Sequence, residues 1–273
     1  SSSRSLSAST VSSSNSLSPW AMASIFPISA AGSSPLAVRM FRREASTVAD
    51  LARAECYARL HDLQSAISNL RYAVRAEPTD DHIDIANAVS MLGRLEMRGV
   101  DVGGRWEELG EVCARHVDDH LYVFHDAHYI WAMAAAGRTD DVAKFLNGLP
   151  SAAASDLTEG RVFRDVGVPL SEAIVACVNK QYGKAVDLLA PVRYQVYRIG
   201  GSHAQRDLFA QLLVHVAIAD GRFDLARGLI SERLERRPGS SLNWRWLGRT
   251  LEGLGDNAGA SDATKRADEL IAA

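Results

Sequence analysis

Leu213, Gly221 and Ala226 recur 34 residues later as Leu247, Gly255 and Ala260, and Pro238 closes the first of the two stretches. A repeat of that length is one helix-turn-helix unit. Such a unit cannot bury its apolar face alone and must stack on neighbours, so the period constrains the fold more than any composition figure does. The expected class is all-α, built from stacked helix pairs. Fold of this kind presents surface for binding and does not by itself specify an activity.

The remaining bounds are broad. A chain of 273 residues with 47% apolar residues has enough material for a continuous core. Its formal charge of -3 gives no global field for nucleic acid or an anionic membrane. Lys144, Lys180, Lys184 and Lys265 are the only lysines, so arginine carries nearly all the positive charge. Cys56, Cys113 and Cys177 form no C-x-x-C pair, which excludes a zinc knuckle and a dithiol motif and suits a reducing compartment. There is no run of about 18 apolar residues, so no membrane span is expected.

Two domains of composition follow each other. Residues 1–43 contain no Asp or Glu, are rich in serine, and carry only Arg4, Arg39, Arg42 and Arg43 as charges. Too little apolar surface is available there to offset ordering entropy, and disorder is expected. The same composition describes an organelle transit peptide in a mitochondrion or plastid, and equally a non-native start, since the sequence opens at Ser1. Without targeting, the expected location is cytoplasmic. Residues 44–273 read as helix throughout, with apolar positions recurring at three and four. Turn signals fall at Pro78, at Gly103 with Gly104, at Gly137, across Asn147 to Pro150 and across Gly167 to Pro169. They continue at Gly200 with Gly201, at Gly221, at Pro238 with Gly239 and at Gly255. The large-Leu-small-aromatic, then Ala and Phe, pattern of a tetratricopeptide unit fits best at Trp244, Leu247, Gly248, Gly255, Ala260 and Ala267, with Thr264 where Phe is expected. Leu213, Ala217, Gly221, Ala226 and Pro238 form the preceding unit, and Tyr57, Ala66, Leu70, Ala73 and Pro78 form one near the start. Weaker units centre on Gly137 and on Tyr182. The expected architecture is a degenerate tetratricopeptide-like helical-repeat superhelix.

Two segments are more polar than packing requires. In the first, His116, His120, His125 and His128 stand among Asp118, Asp119 and Asp126. On continuous helix His116 would share a face with His120, and His125 with His128, the spacing by which two imidazoles hold a metal ion. There is no H-E-x-x-H, and Asp118-Asp119 reads as the N-cap of the helix that carries His125. In the second, Gly200 and Gly201 precede Ser202, His203, Gln205, Arg206 and Asp207. This is a helix cap whose backbone N–H groups suit an anion, but it lacks a phosphate-loop lysine. Neither segment specifies a metal, a cofactor or a nucleophile. In both, mutual hydrogen bonding that fixes helix packing is the plainer alternative.

The runs RIGGSHAQRDLF and LEMRGVDVGGRW, FHDAH followed by AAAGR, and LLAPVRYQVYRIGG resemble the tetratricopeptide repeat protein 38 family over about residues 90 to 273. The resemblance implies an α-helical repeat protein and carries over no established activity. The positions that match are His120, Phe124, Asp126, His128, Gly200, Gly201, Ser202, Gln205, Arg206 and Asp207, whereas His125 stands where the family usually has Asn. The Trp- and His-rich helix that the family places upstream is not evident between Glu44 and Arg75. Two functions are weighed. One is a non-enzymatic scaffold whose helical groove takes a protein or peptide partner. The other is an enzyme or small-ligand binder whose pocket joins His120, Asp126 and His128 to Gly201, Ser202, Gln205, Arg206 and Asp207. Balanced charge argues against nucleic acid.

Overall fold

A computed structural model describes residues 79–272, and these are helical, with no strand among the described residues. The Ser-rich segment 1–43, the unit marked by Tyr57, Ala66, Leu70, Ala73 and Pro78, and Cys56 lie outside the described residues. The helices are α1 (His82–Glu96), α2 (Arg105–Ala114), α3 (Val123–Ala135), α4 (Thr139–Ala153) and α5 (Thr158–Val162). A π-helical turn (Phe163–Gly167) leads into α6 (Val168–Val178), followed by α7 (Tyr182–Val192) and a 3₁₀ turn (Val196–Ile199). The chain then forms α8 (His203–Ala219), α9 (Phe223–Arg236), α10 (Ser241–Gly253) and α11 (Asn257–Ala272).

One turn recurs and builds the architecture. Gly99, Gly137, Lys180, Gly221 and Gly255 all have left-handed φ, between 59° and 82°. At each of them the residue's N–H returns to the carbonyl three residues back, and the next N–H returns to the carbonyl five back, as in Gly221 to Ile218 at 3.1 Å and Arg222 to Ala217 at 2.9 Å. This arrangement satisfies two of the carbonyls that every helix end leaves open. It ends α1, α3, α6, α8 and α10, each of which is followed by its partner helix. Small residues at the facing positions then let the helices close: a Cβ on Gly248 would stand 2.7 Å from the Thr264 hydroxyl of α11.

The pairs do not line up as a simple row. α1 packs on α3, α3 on α6 and α7 on α8, and α8 returns to pack on α1. Every residue from Ile85 to Leu95 is buried, as are Leu208, Phe209 and Gln211–Val214 on α8. A helix apolar or buried around most of its circumference belongs inside a core rather than on a face. α10 and α11 join this body through α9.

Two expected turns are helical. Asn147 to Pro150 lies inside α4, where Phe145 and Leu149, at i and i+4, are both buried, and their burial outweighs the local breakers. Ala154 N–H still reaches the Pro150 carbonyl at 3.0 Å, so the last turn closes behind the proline. Gly167 to Pro169 passes from the π turn into the first turn of α6, where proline's missing N–H costs nothing. Asp118-Asp119 does not cap α3, which begins after Tyr122 without a side-chain cap. Asp118 pairs instead with Lys144, and Asp119 with His116.

Lys180 is the one side-chain-bearing residue among the five turn positions. A left-handed conformation costs a non-glycine residue roughly 1–2 kcal/mol, partly offset by the larger chain entropy of glycine. Lys180→Gly is therefore expected to stabilise the protein by up to about 1 kcal/mol, and Gly221→Ala to destabilise it by about 1 kcal/mol. Thermal melts should show opposite shifts of roughly 2–4 °C; shifts of the same sign would contradict the shared turn geometry.

Candidate functional site

The two polar segments meet across α1. Gly201 is in left-handed conformation (φ 70°), and a Cβ there would lie 2.6 Å from the Phe124 ring, so the glycine loop rests directly on α3. The His128 ring lies tilted against Phe124 and edge-on to Phe209 of α8, with ring centroids 4.6 and 5.6 Å away. From α1, Arg94 donates to the Ala204 carbonyl at 2.7 Å and to the Ser90 carbonyl at 3.1 Å, and Asn87 Oδ1 accepts from Gln205 at 3.5 Å. These contacts make a polar seam inside the body, with Asn87, Ser90, Arg94, His128 and Gln211 all buried.

In and around that seam the polar side chains divide into separate hydrogen-bonded sets. The first belongs to His128. Its Nδ1–H donates to the Phe124 carbonyl at 2.6 Å, which leaves Nε2 to accept from the Ser90 hydroxyl at 3.1 Å. Burial pushes this imidazole down to about 4, against the Phe124 hydrogen bond and with the help of Arg94, so it is neutral at pH 7.

The second set is His120 with Asp126. Two positions before His128, and so on nearly the opposite side of α3, Asp126 accepts from His120 Nδ1 at 2.7 Å. His120 has left-handed φ (40°), which breaks the helix expected to carry His116 and His120 on one face. Its ring is turned instead onto Phe145, at 4.7 Å between centroids, and its Nε2 faces Gly148, where a Cβ would intrude to 2.4 Å. That nitrogen is buried without a hydrogen-bond partner. Burial raises the Asp126 carboxyl despite the His120 hydrogen bond.

The third set centres on Asp207. Arg233 bridges both its oxygens at 2.8 and 3.2 Å, with Arg237 at 3.0 Å and Gln211 at 2.8 Å. Burial alone would raise Asp207, but the charge and hydrogen bonds of Arg233, joined by Arg237, hold it well below the usual carboxylate range. Arg233 also donates to Asn243 at 3.0 Å, which links α8, α9 and α10 through one carboxylate. Arg206 lies next to Asp207 but spans the Gly200 and Gly201 carbonyls and reaches His203 Nδ1 at 3.3 Å. Ser202 and Gln205 form a reciprocal capping box, at 3.2 and 2.8 Å, so two of the N–H groups that suited an anion are already used.

Sequence reasoning passed over His82, and with it the most exposed group of polar rings. His82 stacks on His125 at 5.0 Å and meets His116 edge-on at 5.3 Å, while its Nδ1 takes the Tyr129 hydroxyl. His116 stacks on Tyr129 at 5.1 Å and donates to Asp119 at 2.7 Å. Burial, with the neighbouring His82, lowers His125. The parallel stacking of His82 on His125 does not point two ring nitrogens at one ion, and among the described residues no three His, Cys, Asp or Glu side chains are placed to hold a metal. The signal available in the sequence was a histidine at the start of a helix, directly after Thr79-Asp80-Asp81. Cys177 is unsuited to nucleophilic work, because burial pushes its thiol up to about 12.

A different surface is open. An open groove of about 760 Å³ runs between α10 and α11, with Gly248, Ala260 and Thr264 along it and Arg249, Glu252 and Lys265 among its charged walls. No helix among the described residues is long and apolar enough to cross a membrane. No family model and no solved structure matches the chain.

The two best-built sets give opposite kinds of test. His128 titrates at 6.5 when exposed and about 4 when folded, so its contribution is present above pH 6.5 and is lost as pH falls toward 4. Urea unfolding between pH 7.5 and 4.5 should show a loss approaching about 3 kcal/mol, and a smaller loss in His128→Gln. Asp207→Asn should cost about 3 kcal/mol at pH 7, because Arg233 would keep a half-buried charge without its carboxylate. A melting curve unchanged by Asp207→Asn would remove this carboxylate from the fold's framework.

Proposed function

We propose that the chain is a non-enzymatic helical-repeat protein, tetratricopeptide-like in its units and related to the tetratricopeptide repeat protein 38 family, that binds a protein or peptide partner. The observation that carries this reading is the use of one turn to close five successive helix pairs. The engagement of Ser202, Gln205, Arg206, Asp207, His120, Asp126 and His128 in internal hydrogen bonds supports it further, because those groups have structural employment. Since α8 folds back onto α1, the groove offered to a partner is the one between α10 and α11, with its mixed charges and small floor. A cytoplasmic setting accords with this reading, and an organellar one with residues 1–43 acting as a transit segment. The second reading, a small-ligand binder, draws on His82, His116, His125 and Tyr129, whose rings cluster without a packing need as evident as that of His128.

A displayed random-peptide library panned on the full chain should enrich binders. Their affinity should drop at least tenfold in Glu252→Arg and Lys265→Glu, with no change in melting temperature. No enrichment, together with a metabolite-induced melting shift that His125→Ala abolishes, would replace the scaffold reading with the ligand-binding one.

A further inference from the structure

Four rings meet at the edge of the body where α1 begins. His82, the first residue of α1, lies outermost; its ring stacks on His125 of α3 at 5.0 Å between centroids and meets His116 of the α2–α3 link edge-on at 5.3 Å. Beneath them His116 stacks on the buried Tyr129 ring at 5.1 Å, and His125 lies 6.2 Å from the same ring. The hydrogen bonds of this cluster fit neutral imidazoles. Burial raises Tyr129, so its hydroxyl keeps its proton and donates it to His82 Nδ1. A proton on that nitrogen would make it a donor and remove the acceptor that the hydroxyl now has. His116 donates through Nδ1 to Asp119 at 2.7 Å, so a further proton has only Nε2 to occupy, and Nε2 is buried without a partner. A buried N–H with no acceptor carries its full desolvation cost. His125 is packed flat against His82, so protons on both rings would set like charges 5.0 Å apart.

We propose that this cluster is a proton-operated latch: with neutral rings it holds the first turn of α1 on α3, and acid opens it. The charged groups around it set the sign. From α1, Asp81 favours a proton on His125, but its carboxylate is engaged by the N–H groups of Ile83 and Asp84, and Asp84 stands on the same turn. In the α2–α3 link Asp119 pairs with His116, Asp118 with Lys144 of α4, and Arg115 with Asp80. From α2 the buried Cys113 thiol borders Tyr129, and Asp126 of α3 is turned away onto His120. Burial first, then His82, and to a lesser degree His116, outweigh Asp81 and lower His125 from the 6.5 of a free imidazole. A base lowered in this way contributes stability that is present above pH 6.5 and is lost as pH falls below it, so the latch is closed at neutral pH and weakens in mild acid. Opening uncovers the Tyr129 ring and lets each imidazole take its proton in water. The latch uses neither the α10–α11 groove nor a bound ligand, so it stands or falls separately from the partner-binding reading.

Amide hydrogen exchange of the full chain at pH 7.5 and 5.5, expressed as protection relative to the unstructured rate at each pH, tests the latch. The readouts are Ile85, whose N–H bonds to the Asp81 carbonyl at 3.0 Å, and Ala86, whose helical acceptor is the His82 carbonyl. One linked proton is expected to lower their protection about tenfold between the two pH values. The fall should shrink to less than about twofold in His125→Asn and in His82→Phe, which keeps a ring without a titrating nitrogen. It should persist in His128→Gln, which removes the buried imidazole of the seam. Equal protection at both pH values in the unaltered chain would overturn the proposal. So would a fall that survives both His125→Asn and His82→Phe, or one that His128→Gln alone abolishes, because the proton would then act at the seam.

Discussion

A neutral imidazole at the meeting point of three helices sets the arrangement of the described body. His128 lies on α3, accepts from Ser90 of α1, and contacts Phe209 of α8, with no exposed surface of its own. Burying polar groups is tolerable only when each finds a partner, and the partners must sit at hydrogen-bond distance, so such a seam fixes register more tightly than apolar contact does. Arg94 adds a second constraint by reaching across to Ala204, 110 residues along the chain. Helix pairs closed by short local turns would extend as a row; the seam between α1 and α8 folds that row back on itself.

Local features were legible in the sequence because they depend on a few adjacent atoms. Gly137, Gly221 and Gly255 mark their turns through conformational freedom that needs no tertiary information, and the Ser202–Gln205 cap follows from residue type and spacing. Features decided by distant partners were misread. Lys180 takes the same left-handed turn without the residue that announces it. Asn147 to Pro150 carries every sign of a loop, yet the paired burial of Phe145 and Leu149 keeps it helical, and Gly148 is there to admit the His120 ring. The histidine run shows the same limit: His116 and His120, expected on one helical face, are separated by the left-handed backbone of His120, and the ring cluster that forms recruits His82 from more than thirty positions upstream.

Polarity beyond what a helix face needs has two physical origins here. In His128, Asp126 and Asp207 it supplies internal hydrogen bonds, and each group's titration is displaced by burial or by a paired charge. Displacement of that kind is common to active sites and to structural networks, so geometry must separate them. Asp207 is gripped by two arginines and a glutamine, and His128 has a partner on each ring nitrogen. The hydrogen-bonding capacity of these side chains is taken up within the fold. The rings of His82, His116 and His125 differ, because they lie partly open at the edge of the body and border exposed Tyr122.

The same network distributes stability unevenly. In a stack of helix pairs each unit is held by its own packing and by its neighbours, so a unit with a single neighbour opens first. α10 and α11 are in that position, joined to the rest through α9. The joint relies on Arg233, which binds Asp207 of α8 and Asn243 of α10 and also approaches the Trp246 ring at 6.0 Å. Of α11 only Ala263 and Ala267 are fully buried, so most of its surface faces solvent or the α10–α11 groove. Arg233 thus ties the least supported pair to the carboxylate on which α8 and α9 depend.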